Sequence, residues 1–423
     1  MISSPGNSAI SWTLTCRSPR VSPLPTSEFD VAVVGAGISG LCFAHHAARA
    51  GLRCAVIERD TEPGGCIRTV RTPEGFWFEL GAHTLYNSYS SLLEIIDTAG
   101  IRHLVQRRSK APYRLWVDGE IRSIPSQLAM GELVTSVWRA FTERKAGRTV
   151  GEYYARLVGK RNWTRVLSAV VSAVPSQPAD GFPAEMLFKR RPRRKDYPRT
   201  FTLSGGLASL VERVAKDEKI TLIAGAQADR LGREGLRFTV ETADGNRIVA
   251  RRLAVAVPAP AAARLLSEVA PGAALALARV GSAAVASTGV VVAKGDLTFP
   301  RLAGLFPLQD AFFSVVTRDV VEDERFRAFA FHFRSGLPLD ERLDRIAQVI
   351  GVSRARFLHV AEHATSLPSP GREHADVVRA IDAGLAGSSI YLTGNYFGGL
   401  ALEDCALRSR AETERLLAEL QKA

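Results

Sequence analysis

The stretch DVAVVGAGISGL, residues 30–41, combines a buried-strand pattern with three glycines in G-x-G-x-x-G spacing. Four consecutive apolar residues precede the glycines, and an Ala-rich segment that favours a helix follows them. In such a unit Gly35 allows a tight turn, Gly37 lets a pyrophosphate approach the backbone at a helix N-terminus, and Gly40 lets helix and strand pack closely. The stretch therefore predicts a strand, turn and helix that bind a dinucleotide.

A second strand, RCAVIERD, residues 53–60, carries Glu58 near its end. An acid about 20 residues beyond the glycines holds the ribose hydroxyls in dinucleotide-binding units. Strand, glycines, helix, strand and acid occur here in the expected order, which makes the prediction far more specific than the glycines alone. We expect Ile38, Ser39 and Arg59 to belong to the same cofactor site.

The segment EPGGCIRTVRTPEGFWFELGAHTLY, residues 62–86, follows directly. It resembles the extended fingerprint of the FAD-dependent amine oxidase and protoporphyrinogen oxidase superfamily, closest to protoporphyrinogen oxidase. The resemblance implies FAD as the cofactor, closed over at its diphosphate by Gly64, Gly65 and Arg68. Cys66 stands where the family often has a basic residue, so the diphosphate charge would rest on Arg68, backbone amides and the helix dipole.

The resemblance extends to the residues expected beside the flavin ring. In the family the segment that follows the aromatic strand passes the ring, which implies this position for Gly81 and Ala82. The later stretch YLTGNYFGGLALEDC, residues 391–405, resembles the protoporphyrinogen oxidase form of the C-terminal flavin turn. It implies contacts to the ring or to its ribityl and diphosphate groups from Gly394, Asn395, Gly399, Leu400 and Ala401. A helix N-terminus there would stabilise negative charge on reduced flavin.

The likeness covers the chain from about residue 29 onward and implies an α/β fold. We expect a Rossmann-like FAD-binding domain of the GR2 type with a discontinuous α+β substrate domain. The FAD-binding domain is expected in residues 29–110, 200–273 and 371–423, and a backbone contact to the adenine is expected from Ala228. The substrate domain is expected in residues 111–199, a basic helical insertion, and 274–370, which contain mostly strands. Residues 1–28 are interpreted as a disordered leader, with a transit peptide or an overlong start as alternatives.

The chain carries a formal net charge of +12 over 423 residues, and most of the excess lies between residues 126 and 200. The densest run is KRRPRRK, residues 189–195. In protoporphyrinogen oxidases the helical insertion faces the membrane and the substrate carries carboxylates, and a basic insertion suits either. No recognised nucleic-acid-binding fold accompanies the charge, so we expect no nucleic-acid partner. The oligomeric state is left open.

The apolar runs and the cysteines of the sequence bear on membrane insertion, disulfides and metal binding. No apolar run reaches the roughly 18 residues that a membrane-spanning helix needs. We expect a cytoplasmic protein, with peripheral membrane contact as an alternative. The five cysteines are scattered without paired spacing, which argues against a disulfide framework and against a metal site.

Three features bear on the reaction. His83 follows the segment expected beside the flavin and is the candidate catalytic residue, as a substrate contact or proton relay. Typical amine oxidases of the family carry a lysine on the strand that opens the second insertion, whereas VGSAAVASTGVVV, residues 280–292, has none before Lys294. Monoamine-type members also place an aromatic residue where Leu400 stands. Both differences favour a porphyrinogen oxidase or a related desaturase.

We therefore interpret the chain as an FAD-dependent oxidoreductase of protoporphyrinogen oxidase type. It would transfer hydrides from a small porphyrinogen-like substrate to flavin N5, with dioxygen or another acceptor reoxidising the flavin. An FAD-dependent amine oxidase or C–C desaturase of specialised metabolism is the first alternative. A flavin-dependent sugar mutase or a non-redox FAD-binding protein is an alternative of another class, because LGAHTLYN, residues 80–87, loosely resembles the histidine-bearing segment of the mutases.

Overall fold

The structure, a computed structural model, describes residues 28–422, so the expected leader lies outside the described residues except for Glu28. The strands are β1 (Phe29–Val34), β2 (Cys54–Glu58), β3 (Thr69–Arg71), β4 (Trp77–Glu79), β5 (Leu85–Tyr86), β6 (Val105–Arg107), β7 (Tyr113–Val117), β8 (Glu120–Arg122), β9 (Thr200–Leu203), β10 (Ile220–Ala224), β11 (Ala228–Glu234), β12 (Arg237–Thr242), β13 (Arg247–Val255), β14 (Ser282–Ala293), β15 (Gly304–Pro307), β16 (Phe312–Thr317), β17 (Phe326–Arg334), β18 (Phe357–Pro368) and β19 (Ile390–Leu392).

The α-helices within the same range are α1 (Ile38–Arg49), α2 (Ser90–Thr98), α3 (Met130–Val137), α4 (Val150–Val158), α5 (Lys160–Asn162), α6 (Ser168–Ser172), α7 (Ala208–Ala215), α8 (Ala259–Leu266), α9 (Pro271–Leu277), α10 (Leu339–Ile350), α11 (His374–Leu385) and α12 (Leu402–Leu420). A 3₁₀ turn, Trp138–Phe141, extends α3, and a π-helical turn, Trp163–Leu167, joins α5 to α6.

The first large sheet has the strand order β10-β2-β1-β13-β12-β11, with β19 also paired to β13. Strands β10, β2, β1, β13 and β19 are mutually parallel. One face is covered by a cluster that includes residues of α1, α2, α7 and α12, and the other by one that includes residues of α8, α9 and α11. Because both faces are covered, the central strands are continuous apolar runs, and Val31 and Val33 are fully buried. This is the predicted Rossmann-like domain.

The second large sheet has the order β18-β14-β17-β16-β15-β7-β8 and is antiparallel except for the β15–β7 pair. One face packs on α10, where Ile346 meets Val290 and Phe331. The opposite face packs on the segment around β4, and a Cβ added at Gly289 would lie 2.3 Å from the Phe78 ring. The second sheet therefore presents this face to the β4 segment.

The region expected to be a helical insertion, residues 111–199, begins instead with two strands. Strands β7 and β8 extend the second sheet, because β7 pairs in register with β15 and β8 pairs with β7. Helices α3 to α6 follow and enclose a small apolar cluster that contains Val150 and Trp163. The predicted α/β fold class is confirmed, whereas the predicted division into domains stays a prediction.

Candidate active site

Two of the three glycines in the turn after β1 are closely packed by backbone atoms, and the third, Gly37, has free space beside its Cα. Gly35 has φ +101°, and a Cβ there would lie 2.8 Å from the carbonyl oxygen of Ala256. A Cβ at Gly40 would lie 1.9 Å from the carbonyl oxygen of Gly35. Gly37 has ordinary dihedrals, φ −70° and ψ 177°, and the atom nearest to an added Cβ is 3.8 Å away. Gly35 and Gly40 are thus required by the fold, whereas Gly37 keeps a space open.

The N-terminus of α1 offers backbone donors to that space. Its N-cap, Gly37, supplies no side-chain hydrogen bond, so the amides of Ile38 and Ser39 lack an intrahelical partner. Such a terminus attracts anions through its N–H groups and its dipole. At the end of β2, the Glu58 carboxylate accepts a 2.7 Å hydrogen bond from the backbone N–H of Ala36. The predicted phosphate and ribose contacts are therefore adjacent.

The second glycine pair lies directly against the first turn. The Gly64 amide donates to the carbonyl of Ala36 at 2.9 Å, and Gly64 forms an isolated bridge with Gly37. A Cβ at Gly65, which has φ +59°, would lie 3.2 Å from the Cα of Gly37. Two widely spaced sequence motifs thus form one glycine-lined surface.

The segment expected beside the flavin pairs with the segment that follows this glycine pair. The Ala82 amide donates to the carbonyl of Cys66 at 3.1 Å, and a Cβ at Gly81 would lie 2.2 Å from the same oxygen. Arg68 forms a 3.2 Å ion pair with Glu62 and remains partly exposed. The backbone of Cys66, which stands where the family often has a basic residue, therefore holds Gly81 and Ala82 in place.

Arg59 and Ala228, two further predicted cofactor contacts, lie at the ribose end of the site. The side chain of Arg59 is 69% exposed, and its Nε is 3.6 Å from Asp60. The Ala226 amide donates to the carbonyl of Glu58 at 2.8 Å, which brings the start of β11, and with it Ala228, to the same end. Both residues stay predictions as cofactor contacts.

The C-terminal turn places its five predicted residues before α12. Gly394 is covered by the ring of Tyr396, 2.5 Å from an added Cβ, and Asn395 borders a cavity of about 200 Å³. Ala401 is the N-cap of α12 and makes no side-chain cap, so this helix also begins with free amides. The Leu400 side chain packs against the apolar cluster of the helical insertion. Only its backbone is therefore well placed for the predicted contact with the ring.

The basic run holds this turn in place. Lys189 Nζ donates to the carbonyl of Gly398 at 2.5 Å and to Asp404 Oδ1 at 2.8 Å, and Arg191 Nη2 donates to the same oxygen at 2.7 Å. A Cβ at Gly399 would lie 2.6 Å from the other carboxylate oxygen of Asp404. Arg194 also forms ion pairs with Asp97 and Asp196. Three of the six basic residues in the run that suggested a membrane-facing patch therefore form ion pairs within the chain.

The residues present fit FAD. Helices α1 and α12 both begin without side-chain caps, and they pack on each other, since Ser409, two turns into α12, donates to the carbonyl of Ser39 in the first turn of α1 at 2.8 Å. Gly37 leaves the space that a pyrophosphate needs, and Glu58 lies at the ribose end. The site residues come from both ends of the chain, and their contacts with the cofactor stay predictions.

A cleft lies between the β4 segment and the second sheet. Its polar lining includes Glu79, His83, Arg108, Thr202 and Arg318. Burial raises the pKa of Glu79 to about 7 and lowers that of Arg318 to about 10. Burial also lowers the pKa of His83 to about 3, so its imidazole is neutral at pH 7.

Arg108 is the polar group of this cleft with unused hydrogen-bonding capacity. It is 8% exposed, donates to Thr84 Oγ1 through Nη1, and has a buried Nε without a partner among the described residues. Thr202 Oγ1 is likewise buried without a partner in that part of the chain. Unpaired buried polar groups are costly in a folded protein, and a bound water, an ion or a polar ligand would satisfy them.

Arg114 and Arg334, two arginines of the second sheet, do not line the cleft. Arg114 donates to the carbonyl of Tyr113, and Arg334 lies 4.3 Å from the ring centroid of Phe313. The arginines of the cleft follow short strands of different sheets, so only their long-range pairing brings them together.

A second set of residues missed from sequence lies on the face of the second sheet that packs on β4. Ser287 Oγ on β14 is 2.8 Å from His332 Nδ1 on β17. Ser287 lies on β14, the strand expected to correspond to the lysine-bearing strand of typical amine oxidases. His332 lies on the neighbouring strand, β17. The sequence did contain a signal for them: Ser287 and His332 are polar residues in strands whose other residues on the face toward β4 are mostly small or apolar.

Residues 33–99 match the family described as NAD(P)-binding Rossmann-like domain. The chain is 35% identical over 115 residues to the chloroplastic protoporphyrinogen oxidase of Nicotiana tabacum, and 30% identical over 87 residues to the 15-cis-phytoene desaturase of Solanum lycopersicum. These segments are 27% and 21% of this chain but only 21% and 15% of those proteins. The chain therefore spans about a fifth or less of the curated relatives it matches.

Among solved structures, the fold resembles a protein of Exiguobacterium sp. 255-15 that carries a provisional assignment as a protoporphyrinogen oxidase. The TM-score is 0.76 at 18% identity, covering 93% of this chain and 99% of that chain. At this identity the likeness establishes the fold alone, and it does so over nearly the whole molecule.

Proposed function

We propose that this chain, an FAD-dependent oxidoreductase by its fold and its dinucleotide-binding domain, oxidises a porphyrinogen-like substrate that carries carboxylates. The predicted resemblance to the amine oxidase and protoporphyrinogen oxidase superfamily and the predicted cofactor, FAD, are confirmed at the level of this fold. The substrate and the acceptor are our proposal.

The observation that carries the substrate assignment is the cleft around Arg108. A buried guanidinium with a free Nε is suited to a carboxylate, which it can bind through two parallel N–H donors. The neutral imidazole of His83 lines the same cleft and adds a polar contact without adding charge. An anionic, otherwise apolar substrate fits these groups together with Phe78 and Ala330 of the cleft wall.

FAD, when bound, supplies two-electron oxidation by accepting a hydride. The residues of this chain bind and orient the substrate around that reaction. Arg108 would fix a carboxylate, and the small residues Gly81 and Ala82, expected beside the flavin, would let the reacting carbon approach closely. The apolar face of the second sheet would exclude water from the reacting atoms.

The same lining disfavours the alternatives. A polyene, the substrate class of a carotenoid desaturase, has no polar group to satisfy Arg108 or Thr202. An amine oxidase of the typical kind would place a lysine on β14, where Ser287 faces the FAD-binding part of the chain. A sugar mutase would turn over without net consumption of oxygen, which separates it by measurement.

The decisive experiment is porphyrin fluorescence with FAD-loaded protein in air, using protoporphyrinogen IX and coproporphyrinogen III. We expect an enzyme-dependent rise above the rate without enzyme, together with oxygen consumption. No rise with either substrate, when quinone acceptors have also been supplied, rejects the porphyrinogen assignment.

Arg108→Met is expected to raise KM for a carboxylate-bearing porphyrinogen by about tenfold to a hundredfold, since hydrogen bonds to charged groups contribute about 1.5–3 kcal/mol. The methyl ester of the same porphyrinogen should show no such change. The control is Arg334→Met, which removes an exposed arginine outside the cleft. Equal effects of Arg108→Met on acid and ester would contradict carboxylate binding.

A partner is also proposed from the surface of the helical insertion. Four apolar side chains at helical spacing are 55% to 92% exposed: Met130, Val134, Trp138 and Phe141. Exposed arginines, Arg139 and Arg144, flank them. Apolar and basic groups on one short helix are typical of an interfacial contact with anionic lipid. Among residues 28–422 no helix combines the length and apolarity needed to cross a bilayer.

Replacing Trp138 and Phe141 together by serine should reduce binding to vesicles containing phosphatidylglycerol by at least about tenfold, because each apolar side chain contributes about 1.5–3 kcal/mol when buried. Co-sedimentation at low and high salt measures this. Leu236→Ser, which alters an equally exposed apolar residue on the β11–β12 hairpin, is the matched control. Binding that persists in the double variant rejects the surface.

A further inference from the structure

We propose that His332, oriented by Ser287, accepts the proton that the substrate loses when it is oxidised. The proposal rests on the proposed function and names a group of this chain for a step in it. It is carried by a row of polar side chains that crosses the second sheet.

The row is defined by strand register. Ser314 on β16 pairs with His332 on β17, His332 pairs with Ser287 on β14, and Ser287 pairs with His363 on β18. Cross-strand partners project to the same face of a sheet. The neighbouring row on that face, which includes Ala330, Gly289 and Ala361, is small and apolar. The four polar residues therefore interrupt an otherwise apolar surface.

This face points toward the segment expected beside the flavin. The small residues pack on Phe78 and Leu80, which directly precede Gly81 and Ala82. His332 is two residues beyond Ala330 on β17, and Ala330 forms part of the cleft wall. The polar row therefore lies at the end of the cleft where the chain continues from Leu80 to His83, and the imidazole of His332 is close enough to contribute to the lowered pKa of His83.

The chemistry of His332 is that of a neutral base. It is 7% exposed and Ser287 is 2% exposed, and their 2.8 Å contact uses Nδ1. Burial lowers the pKa of His332 to about 4, so the imidazole is uncharged at pH 7. Nε2 has no hydrogen-bond partner among the described residues. When Nδ1–H donates to Ser287, Nε2 carries the lone pair that can accept a proton.

The surroundings keep this base neutral. The groups that face it are the hydroxyls of Ser287 and Ser314 on the adjacent strands and the imidazole of His83 from the segment after β4. Arg108 lies beyond His83 and lowers the pKa of that imidazole further. Burial is the cause of the lowered pKa of His332, and no acid offsets it. A base in this position stays unprotonated across the physiological range.

In each two-electron oxidation, one C–H bond of the substrate would break and its hydrogen would leave with both electrons as hydride, which bound oxidised FAD would accept. One N–H bond would break: its proton would bond to His332 Nε2, and its electron pair would stay on nitrogen, which leaves a neutral C=N group in the substrate. The substrate would thus lose two protons and two electrons, and dioxygen, the proposed acceptor, would take the two electrons from the reduced flavin.

His332→Gln tests the assignment. We expect kcat for porphyrinogen oxidation to fall by about a hundredfold with little change in KM, since general bases contribute about 10²–10⁴. The wild-type rate should be independent of pH between about 5 and 8 because the base is already neutral, whereas the variant rate should rise with pH as hydroxide replaces it. Imidazole added to His332→Ala should restore part of the rate.

Ser287→Ala should lower kcat by a smaller factor and leave the flat pH profile, because it removes only the orienting contact. The matched control is His359→Gln, a histidine of β18 that instead pairs with Glu74 at 3.0 Å. FAD affinity should be unchanged in all variants, and the Tm of the apoprotein should fall by a similar amount in Ser287→Ala and in His332→Ala, since both lose the same buried hydrogen bond. A His332→Gln enzyme with full kcat, or with a lowered rate that remains flat with pH and is not rescued in the alanine variant, overturns the proposal.

A measurement without turnover separates this inference from the proposed function. The chain has eight histidines, so imidazole NMR signals can be assigned by single substitution. We expect the His332 signal to stay neutral down to about pH 5 and to shift in Ser287→Ala. A signal that titrates near 6.5 overturns the inference even when porphyrinogen is oxidised. Failure of the wild type to oxidise any porphyrinogen, with His332 neutral, rejects the proposed function instead.

Discussion

Gly37→Ala is expected to weaken FAD binding by about tenfold or more and to leave the Tm of the apoprotein unchanged. The dihedrals at Gly37, φ −70° and ψ 177°, suit any residue, and the nearest protein atom to an added Cβ is 3.8 Å away. The methyl group therefore costs nothing in the protein alone. It occupies the space predicted for the pyrophosphate, and overpacking of that kind costs about 1–3 kcal/mol.

The comparison with Gly40→Ala makes the test specific. A Cβ at Gly40 would lie 1.9 Å from the carbonyl oxygen of Gly35, so this variant should lose stability of the apoprotein as well as FAD. Gly371→Ala, where nothing lies within 4 Å, is the neutral control. Titration of apoprotein with FAD by flavin fluorescence, with thermal unfolding in parallel, measures both quantities. If Gly37→Ala binds FAD normally, the pyrophosphate does not lie at this helix N-terminus.

Asp404→Ala should lower the free energy of unfolding by about 2–3 kcal/mol and weaken FAD binding at the same time. The carboxylate is 5% exposed and pairs with Lys189 and Arg191, whose side chains are 30% and 16% exposed. Removing one partner of a buried ion pair costs about 3–5 kcal/mol, and the partial exposure of Lys189 reduces this. FAD binding should suffer because the same carboxylate packs against Gly399 of the turn before α12.

Denaturant unfolding and FAD titration of three variants measure this coupling. Lys189→Met with Arg191→Met should reproduce most of the loss, and adding Asp404→Ala should then have little further effect, as expected for residues of one network. Glu268→Ala breaks an exposed pair with Arg230 and should change stability by less than about 1 kcal/mol. Additive losses would show that the basic run does not hold the turn through Asp404.

The parts of the fold and site that could be predicted are those encoded locally. Gly35, Gly37 and Gly40 with Glu58 specify a turn, a helix and a strand within 30 residues, and the structure has all of them. The hairpin at Asp244 and Gly245 was readable for the same reason, since turn chemistry depends on adjacent residues.

What could not be predicted depends on long-range pairing. His332 and Ser287 are 45 residues apart and meet only because β14 and β17 align in one register. The basic run was read as a surface patch because its partners, Asp404 and Asp97, are far away in sequence. The contact of Leu400 with the flavin ring stays a prediction, and the sequence did not indicate that its side chain packs against the apolar cluster of the helical insertion. The sequence pattern alone does not indicate which distant residues a side chain will contact.

The distance along the chain between the two halves of the cofactor site has a consequence for synthesis. Strand β1 is made early, but β19 and α12, which complete the sheet and bring Ser409 to Ser39, come about 350 residues later in the chain. At about 5–20 residues per second, a ribosome needs roughly 20–70 s to span that interval. During this time FAD meets only half of its site, and from the synthesis of β13 (Arg247–Val255) until that of β19 (Ile390–Leu392) one side of β13 lacks its neighbour. We therefore expect newly made chains to need protection from aggregation and to acquire flavin only after the last helix has emerged.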